Sequence, residues 1–177
     1  MHWLVCGESG TGKTSWAKLR VKEARAEGVS VIVLDPFLDD WGQDDAANNA
    51  DGVARIRVTA DRATFLKWYW ESELSLCVVD ESAITAPRGD EDMLETAILG
   101  RHQGHTNMYL CQRVAQVHPT IRGQCSHLVV FGCSNKDAKI LADDEFDNEG
   151  LYAARTLPPG TYLYLHRRGE ISQEKIF

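Results

Sequence analysis

The sequence predicts an α/β fold built on a doubly wound, mostly parallel sheet. Short apolar runs without polar alternation, several of them β-branched, recur along the chain; strands covered on both faces read this way. Stretches of helical periodicity separate these runs. The final two runs are joined by Arg167-Arg168-Gly169-Glu170, a connection short enough to make an antiparallel hairpin.

Trp3–Cys6 is the first predicted strand. A helix follows over Thr14–Glu27, with Trp16, Leu19 and Ala24 among lysines and arginines and Gly28 to end it. Ser30–Leu34 is the second strand. The next helix, Ala60–Glu71, has Asp61 near its start and Phe65, Leu66, Trp68 and Tyr69 inside. Leu74–Val79 is the third strand. The helix Asp90–Gly100 carries acids in its first turn, where the helix dipole favours them, and Met93, Leu94, Ala97 and Ile98 at helical spacing. Met108–Cys111 and His127–Phe131 are further strands. After the turn Pro158-Pro159-Gly160, Tyr162–His166 and Ile171–Phe177 form the hairpin that closes the sheet. The six aspartates of Asp35–Asp51, with no base among them, read as an exposed, solvated loop.

A chain of 177 residues is expected to be a single domain, 1–177, since domains run to roughly 100–200 residues. Its 44% hydrophobic and 25% charged residues exclude a disordered or low-complexity protein. No apolar run approaches the ~20 residues of a membrane span, and the N-terminus lacks a basic leader segment. A cytoplasmic protein is the expectation. The net charge of −7 argues against whole-surface attraction to a polyanion, so any such contact needs a local patch. The five cysteines contain no C-x-x-C pair and read as free buried thiols.

Gly7-Glu8-Ser9-Gly10-Thr11-Gly12-Lys13-Thr14 fits G-x-x-x-x-G-K-[ST] in full, between the first predicted strand and the first predicted helix. The chemistry needs these residues. Glycines let successive backbone N–H groups turn into one concavity that a phosphate can approach. The helix N-terminus behind it adds partial positive charge. Lys13 can reach the β- and γ-phosphates and the Thr14 hydroxyl can ligate Mg²⁺. Gly7 through Thr14, with Ser15 beyond, is the candidate site for ATP. A second motif is Leu76-Cys77-Val78-Val79-Asp80-Glu81, an apolar strand ending in two acids. Asp80 would hold the Mg²⁺ shell, and Glu81 would orient or deprotonate an attacking water. The adjacent second acid points to hydrolysis of the γ-phosphate. In Leu110-Cys111-Gln112-Arg113, Gln112 ends a strand either as a sensor of γ-phosphate or lytic water or as a solvated polar residue.

Together these motifs resemble the additional-strand, catalytic-glutamate class of P-loop NTPases. The second half is similar to the FtsK–HerA superfamily of DNA-pumping motors. The stretches that carry the likeness are Gly100-Arg101-His102-Gln103-Gly104-His105, Leu110-Cys111-Gln112-Arg113, Val117-His118-Pro119-Thr120-Ile121-Arg122, Leu128–Phe131 and Ser134-Asn135-Lys136-Asp137-Ala138-Lys139-Ile140-Leu141. Leu34-Asp35-Pro36 and Leu157-Pro158-Pro159-Gly160 add to it. Phe37 departs from the lysine usual after Asp-Pro. The N-terminal barrel or membrane segments of cellular members are expected to be absent, because residue 1 nearly abuts the P-loop. A bare motor domain looks most like the genome-packaging ATPases of double-stranded DNA viruses.

The resemblance implies a homo-oligomeric ring, pentameric or hexameric, acting on double-stranded DNA without reading its sequence. It also implies partners at a capsid vertex or among membrane-associated viral proteins, and a location in the host cytoplasm or on the virion. It assigns a trans-acting catalytic arginine, with Arg101 first and Arg122 and Arg113 in reserve. A cation that favours the helix C-terminus is the other reading of Arg101. Thr96–Asn135 holds Arg101, Arg113, Arg122 and four histidines without an acid, and could line a phosphate-tracking channel or be buried sheet. His102-x-x-His105 lacks further ligands for a metal site. The alternatives are an ATP-dependent virion-assembly switch, a small-molecule kinase, and a GTPase hinted at by Asn135-Lys136-Asp137.

Overall fold

The computed structural model describes residues 1–39, 41–42, 55–167 and 169–176. Asp40, Asp44, Asp45 and Asp51 of the acid-rich stretch, and Phe177 of the last predicted strand, lie outside them. Eight strands form one sheet: β1 (His2–Cys6), β2 (Val31–Leu34), β3 (Ile56–Thr59), β4 (Leu76–Val79), β5 (Thr106–Cys111), β6 (His127–Val130), β7 (Thr161–His166) and β8 (Ile171–Lys175). Their order is β3-β2-β4-β5-β1-β6-β7-β8. The first six are parallel; β7 pairs antiparallel with β6 and β8. This is the predicted mostly parallel sheet with its closing hairpin.

The helices are α1 (Lys13–Ala26), α2 (Arg62–Trp70), α3 (Ser82–Thr85), α4 (Glu91–Leu99), α5 (Pro119–Gln124) and α6 (Asn135–Lys139). Local chemistry sets their ends. The Asp61 carboxylate accepts from Thr64 N at 2.8 Å, Asp90 from Met93 N at 3.1 Å and the Ser134 hydroxyl from Asp137 N at 3.2 Å, each satisfying an orphan donor. Gly28 stops α1 at φ +83°.

Alternation along each strand builds two cores. Val5, Val33, Val78, Leu110 and Val129 pack with Trp16, Ala17 and Val21 of α1 on one face. Leu4, Ile32, Cys77, Tyr109 and Leu128 pack with Phe65, Tyr69, Met93, Ala97, Ile121 and Ala138 of α2, α4, α5 and α6 on the other. All five cysteines are free and buried, as expected. Burial pushes the Cys111 thiol up to about 12. Sequence periodicity overlooked β3, α3 and α5. β3 is a half-buried strand of four residues at the sheet edge, and the two helices are too short to show a period.

Candidate nucleotide site

The C-terminal ends of β4, β5 and β1 lie side by side, because these strands are parallel neighbours. The chain leaves β1 toward β2 on one side, and β6 pairs on the other; such a switch point opens a crevice at the strand ends. Gly7–Gly12 turns there from β1 into α1. Gly7 has φ +150°, and a Cβ on it would lie 2.7 Å from Phe131 Cβ. Gly12, at φ +115°, caps α1; a Cβ there would meet Ile176 Cδ1 at 2.6 Å. Both positions thus need glycine. The loop is braced by Glu8 N donating to Gly132 O at 2.8 Å, Gly160 N to Thr11 O at 2.9 Å, and Thr11 Oγ1 to Glu8 O at 2.7 Å.

Lys13 is only 8% exposed and its Nζ donates to Glu8 O at 2.9 Å, so the ammonium is held inside the loop. Burial lowers its pKa, opposed chiefly by the charge of Glu81. Ser9, Gly10, Gly12, Lys13, Thr14, Ser15, Glu81 and Gln112 line one cleft of about 220 Å³. The structure therefore brings the P-loop together with the second acid and the strand-end glutamine, although Gln112 lies 99 residues after Lys13.

Asp80 and Glu81 follow β4. Asp80 is 7% exposed, and its Oδ1 accepts from Glu81 N at 2.8 Å. Burial pushes its carboxyl up to about 6; the negative charges of Asp35 and Glu81 add to the rise, and the Glu81 amide and the Lys13 ammonium oppose it. A buried anion crowded by anions gains from a nearby cation. Thr14 lines the cleft and Asp80 lies next to Glu81, itself on the cleft wall; a hydroxyl and a carboxylate are oxygen donors of the kind Mg²⁺ takes, which binds few protein ligands and keeps waters and phosphate oxygens. Glu81 sits in the left-handed region at φ 45°, ψ 53°, and its Oε1 accepts from Gln112 Nε2 at 2.8 Å. Gln112 is thus a partner of the glutamate and not merely a solvated strand end. Asp35, unassigned as a ligand from sequence, ends β2. Its carboxylate takes Phe37 N and Asp39 N at 2.8 Å and Trp41 Nε1 at 2.9 Å, so it fixes the turn beside the site.

The predicted arginines separate. Arg101 is exposed in the 3-10 turn Gly100–Gln103, which precedes β5. It lies at the N-terminal end of the parallel strands, whereas its own P-loop follows the C-terminal end of β1, one strand length or about 16–20 Å away at ~3.3 Å per residue. Arg122 is 7% exposed and structural: its Nε donates to Glu145 Oε1 at 2.7 Å and its Nη1 to Val114 O at 3.0 Å. Arg113 pairs with Asp137 at 3.0 Å. The acid-free stretch is accordingly not one basic face. His105 is buried and ties Ser75 N to Tyr69 O, His118 caps α5, and His127 stacks on Trp3 with ring centroids 4.3 Å apart. His105 has no free nitrogen for a metal, and no cluster of three or more His, Cys, Asp or Glu suited to one occurs among the described residues.

No family model and no curated protein matches the chain. Solved structures do. The genome packaging NTPase B204 of Sulfolobus turreted icosahedral virus 2, in complex with ATP-gammaS, superposes with TM-score 0.78 at 16% identity, over 98% of this chain and 96% of that one. VirB4 of Thermoanaerobacter pseudethanolicus matches with TM-score 0.71 at 10% identity, over 99% and 89%. The pCW3 conjugation coupling protein TcpA matches with TM-score 0.69 at 15% identity, over 98% of this chain and 59% of its own. The chain has the P-loop NTPase fold that these structures share.

Proposed function

We propose that the chain is an Mg²⁺-dependent ATP hydrolase that moves double-stranded DNA, as a homo-oligomeric ring that packages a viral genome into a preformed capsid. One observation carries the hydrolase: Lys13, Glu81 and Gln112 line a single cleft, with Glu81 Oε1 held 2.8 Å from Gln112 Nε2. The likeness to B204 over nearly the whole of both chains supports packaging.

The P-loop amides and Lys13 grip the triphosphate and neutralise charge that grows on it in the transition state. Thr14 and Asp80 would hold Mg²⁺, which would supply further counter-charge to the phosphate oxygens. Glu81 orients the attacking water and takes its proton, and Gln112 fixes the free rotation of that carboxylate. Arg101 stands too far from its own P-loop to act there, so any catalytic role it has is in a neighbour's site; an arginine so placed is worth roughly 10³–10⁵ in rate.

The test is ATP turnover with and without double-stranded DNA, alongside the mass of the assembly. DNA-stimulated turnover by a ring supports the proposal; turnover indifferent to DNA refutes translocation. That outcome would favour an ATP-dependent virion-assembly switch, the reading suggested by the net charge of −7 and by the engagement of Arg113 and Arg122 with carboxylates.

A further inference from the structure

Gln112 lies just past the last sheet pairing of β5, Cys6 with Cys111. Nothing in the ladder fixes it, yet its amide must face Glu81. The three residues after it are held from three separate elements. Arg113 Nε donates to Asp137 Oδ2 of α6 at 3.0 Å, and Ala115 N approaches Asp137 Oδ1 at 3.5 Å. Val114 O accepts from Arg122 of α5 at 3.0 Å, and Ala115 O accepts from Arg88, between α3 and α4, at 2.6 Å.

Asp137 is the centre of this arrangement. It is fully buried at 0% exposure, and its Oδ2 also takes the Ser134 hydroxyl at 2.6 Å. Capping of α6 does not require that carboxylate: the Ser134 oxygen already accepts the Asp137 amide. A carboxylate is buried only at a cost unless it is paired and hydrogen-bonded, so its placement at Arg113 is specific.

We infer that Asp137, through Arg113, is a positioning residue that holds Gln112 against Glu81. This rests on the hydrolase reading above. Losing the clamp lets the β5 end relax, and Gln112 no longer orients the glutamate. Displacement of a positioned group by about 1 Å can cost ~10²-fold in rate.

The test substitutes Asp137→Asn and, separately, Arg113→Lys, which keeps a cation beside the buried Asp137 carboxylate but loses the directed guanidinium hydrogen bond, so that a second variant is at hand should the first not fold. The expected result for either is a kcat lowered roughly tenfold or more, with KM and ATP affinity within about twofold. In a Gln112→Ala background neither substitution lowers kcat further, because the group it acts through is gone. A kcat loss of equal size in that background overturns the inference, as does a loss shared by KM and thermal stability with no change in kcat. Wild-type protein without turnover refutes the hydrolase instead. The clamp is then judged by a crystal structure of the variant: a Gln112–Glu81 hydrogen bond still in place overturns it, and a broken one supports it.

Discussion

Glu81→Gly separates chemistry from folding at the centre of the site. Glu81 has φ 45° and ψ 53°, a left-handed backbone that costs an L-residue about 1–2 kcal/mol. Glycine relieves that strain but gives back about 0.5–1 kcal/mol through the freer unfolded chain. The hydrogen bond from Gln112, partly exposed, is worth about 0.5–1.5 kcal/mol. Removing Glu81 also lifts a like charge from Asp80. These contributions cancel to within about 1 kcal/mol, so Tm should move by less than about 4 °C for a domain of this size. Turnover should fall about 10²–10⁴-fold, the usual contribution of a positioned general base. That is roughly 3–5 kcal/mol of barrier at about 1.4 kcal/mol per decade. Calorimetry gives the first quantity, steady-state phosphate release the second, and equilibrium ATP binding shows that the cleft remains. Turnover within about threefold of wild type would refute the role given to Glu81. A Tm loss above about 10 °C would instead show that its side chain anchors the fold and that the strain estimate is wrong.

Asp80 has a pKa of about 6 in the folded chain against 3.8 unperturbed, so the nucleotide-free protein binds more protons than its unfolded state between those values. Its contribution is full below about pH 4 and is lost as pH rises through 6, on the order of 2–3 kcal/mol in all. Asp80→Asn should therefore raise the Tm of the nucleotide-free protein at pH 8 but not at pH 4; an equal change at both would refute the assignment. Gly7→Ala meets the backbone-fixed Phe131 Cβ and should cost about 2–5 kcal/mol from strain and overpacking. Gly12→Ala meets the movable tip of Ile176 and should cost mainly its strain, about 1–2 kcal/mol; denaturant melts with the reverse order would refute the packing argument. Subunits carrying Arg101→Ala mixed with subunits carrying Lys13→Ala should recover ATPase activity, since intact sites then form between different subunits. No recovery in a proven mixed ring would remove Arg101 from catalysis.

Signals confined to neighbouring residues were legible in the sequence. The glycine spacing of Gly7–Thr14, the apolar run into Asp80 and the caps at Asp61, Asp90 and Ser134 each depend on contacts within a few residues, so the one-dimensional pattern carries them. The sheet class followed as well, because strands covered on both faces cannot alternate. Charge counting over Thr96–Asn135 left a basic channel and buried sheet both open, since composition does not tell a solvated cation from one spent on a partner distant in the chain; Arg122 meets Glu145 and His105 meets Tyr69. Gln112 remained ambiguous for the same reason until parallel pairing of β4 and β5 set it beside Glu81. The sequence by itself determined that a glycine-rich turn of the P-loop pattern and a pair of acids at a strand end exist. Tertiary structure decided that Asp80 is buried among anions, that Glu81 takes a left-handed backbone, and that Arg101 lies at the opposite end of the parallel strands from its own P-loop. Burial, charge proximity and strand register arise only when segments far apart in the chain pack together.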